Sequence, residues 1–360
     1  MSNISSIPIV SDDPRHRFHD ITVKEVIRET ADATSFVFEI PAALESLFAY
    51  KPGQFFTFEI PWQDFAIKRC YSLSSTGSWN EAPKVTVKRV DDGRVSNWMN
   101  ENLAPNNTIR IMPPAGAFVL HEQANIARPL TLFGGGSGIT PVISLLKQAL
   151  LETTRPVKMI YANRDRASVI FYDELTAIQA KYGDRFELVH HLDDAAGFLN
   201  DEGVAGHIAG RSDSDFYICG PTPFMDTVER VLEAAEIVGE IHIERFVSAV
   251  DPDRAPEATD EAPVVTDGLP GRVKILVNGK THEVEYQAGE TLLSAAIRAG
   301  LDIPFSCQDG YCSCCMAKLR AGKVTMASRE ALTDREIAEG WVLTCQAKPT
   351  TSACEVEYED

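Results

Sequence analysis

Short segments in which apolar and polar positions alternate fill the first 125 residues of the chain. Phe56-Thr-Phe-Glu-Ile60 and Val85-Thr-Val-Lys88 show the period-two pattern of a strand with one buried face. Six segments rich in β-branched and aromatic residues are predicted to be strands: Ile21–Val26, Thr34–Ile40, Gln54–Ile60, Arg69–Ser75, Lys84–Val90 and Thr108–Met112. With one short helix expected at about 95–103, this set predicts a small antiparallel β-barrel.

The spacing of apolar positions along the chain changes after Arg128. An apolar run at 130–133 leads into Gly134-Gly-Gly-Ser-Gly138-Ile-Thr140-Pro141, and a helical pattern follows to about 151. Further strands are predicted at 157–162, 186–190 and 216–219, with helices at about 172–182 and from 224. Strands that alternate with helices predict an α/β domain with a parallel sheet and crossover helices.

Two different patterns make up the rest of the chain. Residues 248–270 hold four prolines, many acids and no apolar period, so they are predicted to be a flexible linker. From 271 onward, a hairpin through Asn278-Gly279 and a helix at about 290–299 predict a β-grasp fold. The predicted domains are therefore 1–126 for the barrel, 127–247 for the α/β domain, 248–270 for the linker and 271–360 for the β-grasp domain.

Four cysteines follow a spacing that points to an iron–sulfur cluster. Four residues separate Cys307 from Cys312, two separate Cys312 from Cys315, and 29 separate Cys315 from Cys345. This is the plant-type ferredoxin spacing of a [2Fe–2S] centre. Gly310 allows the loop to bend without a side-chain clash. These four cysteines are the predicted metal ligands.

Other interpretations of the cysteines are structural zinc, a disulfide framework and ordinary buried residues. Zinc ligands usually come as two close pairs, and disulfides belong to secreted chains. Cys314 lies inside the same loop, but only the choice of Cys312 and Cys315 preserves the spacing, so Cys314 is interpreted as a bystander.

Composition and charge narrow the functional class. At 360 residues, with 44% apolar and 24% charged residues, the chain is expected to form two to three globular domains. It has no run of 18 apolar residues and no signal-peptide pattern, so we expect a cytoplasmic protein without membrane insertion. The net charge of −18 argues against nucleic acid as a partner. It leaves open whether the acidic surface steers a basic partner or serves solubility.

The glycine run after the first α/β strand is typical of a phosphate site. Glycines let the backbone approach a phosphate, and the next helix N-terminus supplies unpaired N–H groups. Thr140 is predicted as the helix N-cap, and Pro141 as part of the first turn. The spacing differs from the Rossmann fingerprint, and glycine packing alone is the alternative. Cys219-Gly220-Pro221 ends a later strand, so both turns are expected to face one ligand.

Two barrel segments have similar chemistry. Arg69-Cys-Tyr71-Ser72 places a guanidinium suited to a diphosphate and an aromatic ring on one face of a strand. Gly93-Arg-Val-Ser96, just after Lys88, opens a helix whose N-terminus can receive a phosphate. The alternatives are a surface arginine on an ordinary strand, and a serine that only caps its helix.

Taken in order, these motifs resemble the ferredoxin–NADP⁺ reductase superfamily. With a plant-type ferredoxin at its C-terminal end, the chain looks like the oxygenase reductases of the 3-ketosteroid 9α-hydroxylase and phenylacetyl-CoA epoxidase type. The former is more similar, through Ser96-Asn-Trp98, Tyr161-Ala-Asn-Arg164, Ser168-Val-Ile-Phe171 and His242-Ile-Glu244. Ser313 and Cys314 depart from the glycine and alanine that are usual in the family.

The resemblance assigns roles residue by residue. Arg69 and Ser96 would hold the FAD diphosphate, Tyr71 would stack on the flavin ring, and Ser72 would lie near its N5. The Gly116-Ala-Phe118 loop is similar to that of FAD-type enzymes, and Phe246 would shield the flavin. Lys88 and Gly93, on either side of the segment that leads to Ser96, are also predicted to bind a cofactor. The nicotinamide dinucleotide would be bound by Gly134, Gly135, Gly136, Ser137, Gly138, Thr140, Asn163, Arg164, Gly220 and Pro221. Ser72, Thr140, Cys219 and Phe246 would lie at the reacting atoms.

The implied function is electron transfer from NAD(P)H through FAD and a [2Fe–2S] cluster to a terminal oxygenase, with the Rieske type favoured. A flavin is needed because a nicotinamide gives two electrons and the cluster accepts one. The alternatives are a reductase for a diiron hydroxylase or epoxidase, and a non-catalytic zinc or redox module. NADH is favoured over NADPH as the donor, a monomer is expected, and the linker is expected to let the ferredoxin domain move.

Overall fold

The computed structural model describes residues 13–120, 128–246, 268–329 and 331–358. The chain divides into two compact units. The first consists of His19–Pro61 and Cys70–Phe246, and the second consists of 13–18, Trp62–Arg69 and the described residues after 267. Within the described residues, no helix is long and apolar enough to cross a membrane.

The first sheet is antiparallel and forms from the alternating segments. Its strands are β1 (His19–Arg28), β2 (Ala33–Glu39), β3 (Phe55–Trp62), β4 (Phe65–Ser72), β5 (Lys84–Lys88) and β6 (Thr108–Ala115), in the order β4-β3-β6-β1-β2-β5. A bridge between Leu73 and Val85 joins the two edges. Phe36, Phe38, Phe56 and Phe58 fill the interior. The predicted barrel is confirmed, and α1 (Arg94–Asn102) lies close to the predicted helix.

The second sheet is parallel, as predicted from the alternation of strands and helices. Its elements are β7 (Leu130–Gly135), α2 (Ile139–Glu152), β8 (Val157–Asn163), α3 (Tyr172–Tyr182), β9 (Phe186–Leu192), α4 (Asp193–Ala196), α5 (Asp201–Ile208), β10 (Asp215–Gly220), α6 (Thr222–Ala234) and β11 (Ile241–Arg245). The strand order is β11-β10-β7-β8-β9. The sequence did not predict β11, which is short and exposes Ile241 and Ile243 at the sheet edge.

A buried lysine fixes α2 within the first unit. Lys147 is fully buried, and its Nζ lies 2.8 Å from a Glu81 carboxylate oxygen and 2.5 Å from one of Glu174. Glu81 follows β4 and Glu174 belongs to α3, so one cation joins the first sheet to two helices of the parallel-sheet region. A buried charge requires such partners. This arrangement holds the helix that follows the glycine run.

The third sheet belongs to the second unit. Its elements are β12 (Arg272–Val277), β13 (Lys280–Glu285), α7 (Leu292–Arg298), β14 (Met316–Met326), α8 (Asp334–Ala338), β15 (Trp341–Leu343) and β16 (Ala347–Glu357), in the strand order β13-β12-β16-β14-β15. β12 and β16 are parallel, whereas the other pairs are antiparallel. The predicted hairpin and mixed sheet are confirmed. Most of the predicted linker, 248–267, lies outside the described residues.

Candidate functional site

One row of residues crosses the whole parallel sheet near the carboxyl ends of its strands. The strand register pairs Glu244 of β11 with Cys219 of β10, and Cys219 with Gly134 of β7. Gly134 in turn pairs with Tyr161 of β8, and Tyr161 with His190 of β9. Ligands of open α/β sheets bind at this edge. The row therefore brings the two predicted nucleotide turns together and adds a carboxyl group that received no role from the sequence.

The glycine run forms a tight turn that continues directly into α2. Gly136 has a φ of +51°, and its carbonyl oxygen accepts a hydrogen bond from the Tyr161 hydroxyl at 3.0 Å. The helix begins at Ile139, with Gly138 as its N-cap. The prediction that Thr140 is the N-cap is wrong, because the short turn Gly136–Gly138 makes Ile139 helical already. The Thr140 hydroxyl instead donates to the Ser137 carbonyl at 3.1 Å.

The glycine turn and the turn after β10 are packed against each other. A Cβ placed on Gly138 would lie 2.2 Å from the Cys219 carbonyl oxygen, and one on Gly135 would lie 2.8 Å from Pro221 Cδ. A Cβ on Gly220 would meet Phe224 at 2.6 Å. At Gly138 the obstructing atom is backbone, so glycine is required there for the two turns to approach. At Gly135 and Gly220 the obstructing atoms belong to the side chains of Pro221 and Phe224.

Ser72 and Glu244 form a polar pair beside this turn. Ser72 ends β4, and its hydroxyl donates to a Glu244 carboxylate oxygen at 3.4 Å. Burial raises the pKa of Glu244 to about 8. Burial also raises the pKa of the Cys219 thiol, and the neighbouring Glu244 charge adds to that effect. At neutral pH the site therefore contains a protonated carboxyl and a protonated thiol within reach of a serine hydroxyl.

The raised pKa of Glu244 predicts a pH-dependent stability. Because the folded carboxyl keeps its proton up to about pH 8 and the unfolded one loses it near its ordinary value of 4.5, unfolding releases a proton between these pH values. The wild type is therefore expected to lose stability, relative to Glu244→Gln, as pH rises from about 5 to 8. We expect the melting temperature of the wild type, minus that of Glu244→Gln, to fall by about several °C over this range.

Thermal unfolding of both proteins across this pH range checks the expectation. Glu202→Gln, on the exposed side of α5, controls for the loss of one negative charge. A gap between wild type and Glu244→Gln that stays constant with pH would show that the carboxyl ionises normally.

The predicted flavin-binding residues lie on two elements of the first sheet region. Arg69 and Tyr71 lie on β4, and the Tyr71 ring contacts Phe58 edge-on at 5.7 Å. At the start of α1, the Ser96 hydroxyl accepts from Val90 N–H at 3.2 Å. A Cβ on Gly93 would lie 2.5 Å from Ser96 Oγ, so Gly93 leaves room for that hydroxyl. Gly93 is the N-cap, and no acid occupies the first turn, which leaves the α1 N-terminus open to an anion.

The other predicted flavin residues differ in their surroundings. Gly116 has a φ of +115°, and a Cβ there would lie 3.0 Å from the Phe55 ring. Phe118 is buried, with its ring centroid 5.3 Å from that of Tyr217. Phe246 follows β11 and is 45% exposed. Of these three positions, Phe246 presents the most free side-chain surface to a ligand.

Three further predicted residues surround the glycine turn. Asn163 ends β8; its buried amide forms no well-aligned hydrogen bond among the described residues, although the Tyr161 hydroxyl is near. Lys88 Nζ lies 3.9 Å from the position of a Cβ on Gly136. Arg164 follows Asn163 and is 70% exposed. A buried amide without a well-aligned partner and two cations suit a polar, anionic ligand.

The four predicted thiol ligands converge in the second unit. Cys307, Cys315 and Cys345 are buried, and Cys312 is half-buried. Gly310 in the loop has a φ of +81°, and a Cβ there would lie 2.8 Å from the Gln346 side chain. The Thr344 N–H and hydroxyl both donate to the Cys315 carbonyl, at 3.1 and 2.9 Å, and so bring Cys345 beside Cys315. Thr344 thus holds Cys345, which is distant in sequence, beside the cysteine loop.

The donor set of this loop fits a [2Fe–2S] cluster. A hydrogen bond with Cys315 and then burial raise the pKa of the Cys345 thiol; burial and then Cys312 raise that of Cys307. Backbone N–H groups of Cys307 and Asp309 point at sulfurs, at 3.5 and 3.4 Å. When a metal binds, it takes the place of the thiol protons, which are released to solvent, and N–H groups aimed at sulfur stabilise the resulting negative charge.

The departures from the family pattern are accommodated locally. Ser313 adopts a φ of +56°, a region that glycine enters more easily, and its hydroxyl donates to the Ala331 carbonyl at 3.3 Å. Cys314 is half-buried between two predicted ligands. Neither residue prevents the loop from closing around the other four thiols.

Sequence reasoning assigned no role to two acidic residues that lie beside the predicted binding residues, Glu244 beside Cys219 and Asp32 beside Lys88 and Arg164. Glu244 belongs to the segment His242-Ile-Glu244, and its position two residues before Phe246 was the available signal. Asp32 lies in the turn between β1 and β2, and nothing in the sequence connects it to a glycine turn about 100 residues later. Only the folded register shows these neighbours.

Three family models match successive parts of the chain. The oxidoreductase FAD-binding domain matches residues 20–120, and the oxidoreductase NAD-binding domain matches 132–230. The 2Fe-2S iron-sulfur cluster binding domain matches 275–350. The chain is an oxidoreductase with FAD, a nicotinamide nucleotide and a [2Fe–2S] cluster as its cofactors.

Similar proteins cover almost the whole chain. The ferredoxin reductase component of 3-ketosteroid-9-alpha-monooxygenase from Rhodococcus rhodochrous is 40% identical over 94% of this chain and 96% of its own. One subunit of the 1,2-phenylacetyl-CoA epoxidase from Escherichia coli K12 is 31% identical over 95% and 98%. Phthalate dioxygenase reductase shares the fold, with a TM-score of 0.58 and 22% identity over 95% and 98%. This chain therefore belongs to the family of monooxygenase ferredoxin reductase components that join FAD-binding, NAD-binding and 2Fe-2S domains.

Proposed function

We propose that this chain takes electrons from NADH and delivers them singly, through FAD and its [2Fe–2S] cluster, to a terminal oxygenase. The observation that carries the proposal is the convergence of four thiols in one unit of a chain whose other unit packs a glycine turn against Cys219, the register partner of Glu244. When bound, a flavin accepts two electrons together and releases them one at a time, which links a hydride donor to a one-electron centre.

Different residues of the first two sheets are proposed to bind FAD, to bind the dinucleotide and to exchange protons with the flavin. Ser96 and the α1 N-terminus, with Arg69, are proposed to hold the FAD diphosphate, while Tyr71 and Phe246 cover the ring. Gly134 to Gly138 admit the dinucleotide, with Asn163 as a polar partner. Thr140 and Cys219 border the nicotinamide. Ser72 donates to Glu244, whose carboxyl holds a proton at neutral pH, so this pair is placed to exchange protons at the flavin.

The second unit is the proposed outlet. Cys307, Cys312, Cys315 and Cys345 are its proposed ligands, with Cys314 as a bystander. The proposed domain limits are 1–126, 127–247 and 271–360, with 248–270 as a flexible connection between the last two. We also propose a monomer in solution.

NADH is the proposed donor because the carboxyl end of β9 is acidic. Asp193 and Asp194 follow this strand directly, and Asp194 N–H donates to the Arg164 carbonyl at 2.9 Å. Two carboxylates at the edge that binds the dinucleotide repel the additional phosphate of NADPH.

A Rieske-type oxygenase is the proposed partner. The chain is 40% identical to the ketosteroid monooxygenase component and 31% identical to the epoxidase subunit, which favours a partner like that of the former. A reductase for a diiron enzyme is the second candidate, since the epoxidase subunit is also similar over most of its length.

Anaerobic mixing of the NADH-reduced holoprotein with each class of oxygenase tests the proposal. We expect reduction of a Rieske-type component, followed by its absorbance, to be at least about tenfold faster than reduction of a diiron hydroxylase, because complementary docking controls the encounter. Faster reduction of the diiron protein would show that the partner is a diiron hydroxylase and not a Rieske-type oxygenase. Failure to reduce either would contradict the function itself.

A further inference from the structure

Asp32 is a carboxylate held in a fixed orientation by its own turn. The Thr30 hydroxyl donates to Asp32 Oδ1 at 2.7 Å, and Arg89 N–H donates to the Asp32 carbonyl at 2.7 Å. The side chain of Asp32 is 31% exposed. With Oδ1 engaged in this way, Oδ2 is the oxygen directed at other groups.

Two cations from different parts of the first unit meet this oxygen. Lys88 Nζ lies 3.8 Å from Asp32 Oδ2, and Arg164 Nη2 lies 3.5 Å from the same atom. Lys88 ends β5, and Arg164 follows β8, the strand next to the glycine strand β7. One carboxylate oxygen therefore forms ion pairs with two residues that are predicted to bind the cofactors, and the three groups together keep a net positive charge.

The three charged groups lie at the glycine turn. Lys88 Nζ is 3.9 Å from the position of a Cβ on Gly136. The Tyr161 hydroxyl donates to the Gly136 carbonyl at 3.0 Å, and the Asp32 charge contributes, after burial, to the raised pKa of Tyr161. Asp32 is thus an anion at a turn whose open backbone and neighbouring cations suit a phosphate.

We propose that Asp32 is a built-in competing anion, which the diphosphate of the nicotinamide dinucleotide must displace from Lys88 and Arg164 in order to bind. The inference rests on the proposed function, since it assigns the glycine turn to that dinucleotide. Beyond that function, the inference assigns to Asp32 the role of lowering the affinity for the nucleotide. A site with a resident counter-ion releases the oxidised product sooner and retains other phosphates less strongly.

The consequence of removing the charge follows from the local electrostatics. In Asp32→Asn both cations lose their carboxylate partner, and the incoming diphosphate meets less repulsion. All three side chains are partly exposed, at 31%, 22% and 70% for Asp32, Lys88 and Arg164, so solvent screens much of the effect. We expect a gain in nucleotide affinity of about three- to tenfold.

Steady-state oxidation of NADH and NADPH by the holoprotein, with an artificial one-electron acceptor, tests the proposal. In Asp32→Asn we expect KM for NADH to fall about three- to tenfold, with a smaller change in kcat. The dissociation constant of ADP, measured by calorimetry on the oxidised holoprotein without turnover, should fall by the same factor. Asp32→Glu keeps the charge and should stay near the wild type. KM for NADPH should fall with that for NADH, because both carry the diphosphate.

Glu187→Gln is the matched control. Glu187 also bridges a lysine and an arginine, with its carboxylate oxygens 3.1 Å from Lys158 Nζ and 3.5 Å from Arg211 Nη2. It lies near the amino end of β9, away from the glycine turn. An unchanged or higher KM for NADH and dissociation constant of ADP in Asp32→Asn, or an equal decrease in Glu187→Gln, would overturn the proposal. A wild type that oxidises neither nucleotide would contradict the proposed function instead.

Discussion

Replacing Cys345 with serine is expected to stop electron delivery to a protein acceptor while NADH still reduces the flavin. Cys345 lies between β15 and β16, away from the loop in sequence, and meets Cys315 only because Thr344 is hydrogen-bonded to the Cys315 carbonyl. Loss of a residue that only hydrogen-bonds to a metal ligand already lowers metal affinity or activity by about 10- to 100-fold. Loss of the ligand itself is expected to cost more. We expect reduction of a one-electron acceptor protein to fall by about 100-fold or more.

The measurement compares two activities on the same purified protein. Flavin reduction by NADH is followed by stopped-flow absorbance, and reduction of the acceptor protein is followed in steady state. Iron and sulfide content shows whether the cluster assembled. Flavin reduction serves as the internal test that the first unit is folded.

Two further cysteine variants separate a ligand from an ordinary thiol. Cys354 is 4% exposed on β16 of the same sheet, and Cys314 lies inside the loop. Cys354→Ser and Cys314→Ala are both expected to keep iron, sulfide and acceptor reduction. If Cys345→Ser kept its iron, or if Cys314→Ala lost it, the proposed ligand set would be wrong.

Changing Gly138 to alanine is expected to slow nucleotide-dependent flavin reduction by about 100-fold. The added Cβ would lie 2.2 Å from the Cys219 carbonyl oxygen and 2.6 Å from the Gly220 nitrogen. Both atoms are backbone, so no side chain can rotate away and the two turns must move apart. A misplacement of about 1 Å at a reacting centre costs about 100-fold in rate, and this is the decrease that we expect.

A glycine outside the two turns provides a control. Nothing lies within 4 Å of a Cβ placed on Gly206, which belongs to α5. Gly206→Ala is therefore expected to keep flavin reduction by NADH within a few-fold of the wild type, at unchanged FAD and iron content. Equal rates for Gly206→Ala and Gly138→Ala would show that the close packing of the two turns is unimportant for the reaction.

The barrel strands and the parallel sheet were predictable because their apolar patterns are local. Val85 to Lys88 alternates as a strand should, and Leu130 to Phe133 is buried throughout β7. The cysteine spacing is equally local, apart from Cys345. A short-range pattern is therefore sufficient where one element determines its own structure.

The remaining elements depend on distant parts of the chain. β14 contains register shifts between Leu319 and Ala321 and between Gly322 and Val324, which interrupt the alternation that identifies a strand. Glu244 is placed beside the predicted binding residues only by its register partner Cys219. Asp32 is placed there only by its ion pairs with Lys88 and Arg164. Such long-range pairings cannot be predicted from one segment.

An anaerobic titration of the purified holoprotein with NADH tests most directly whether two electrons are divided into single ones within this chain. A flavin that takes two electrons and a cluster that takes one predict complete bleaching at about 1.5 equivalents of NADH per chain, with about two irons and two sulfides bound. Bleaching that ends at about one equivalent, in a protein without iron and sulfide, would contradict the account.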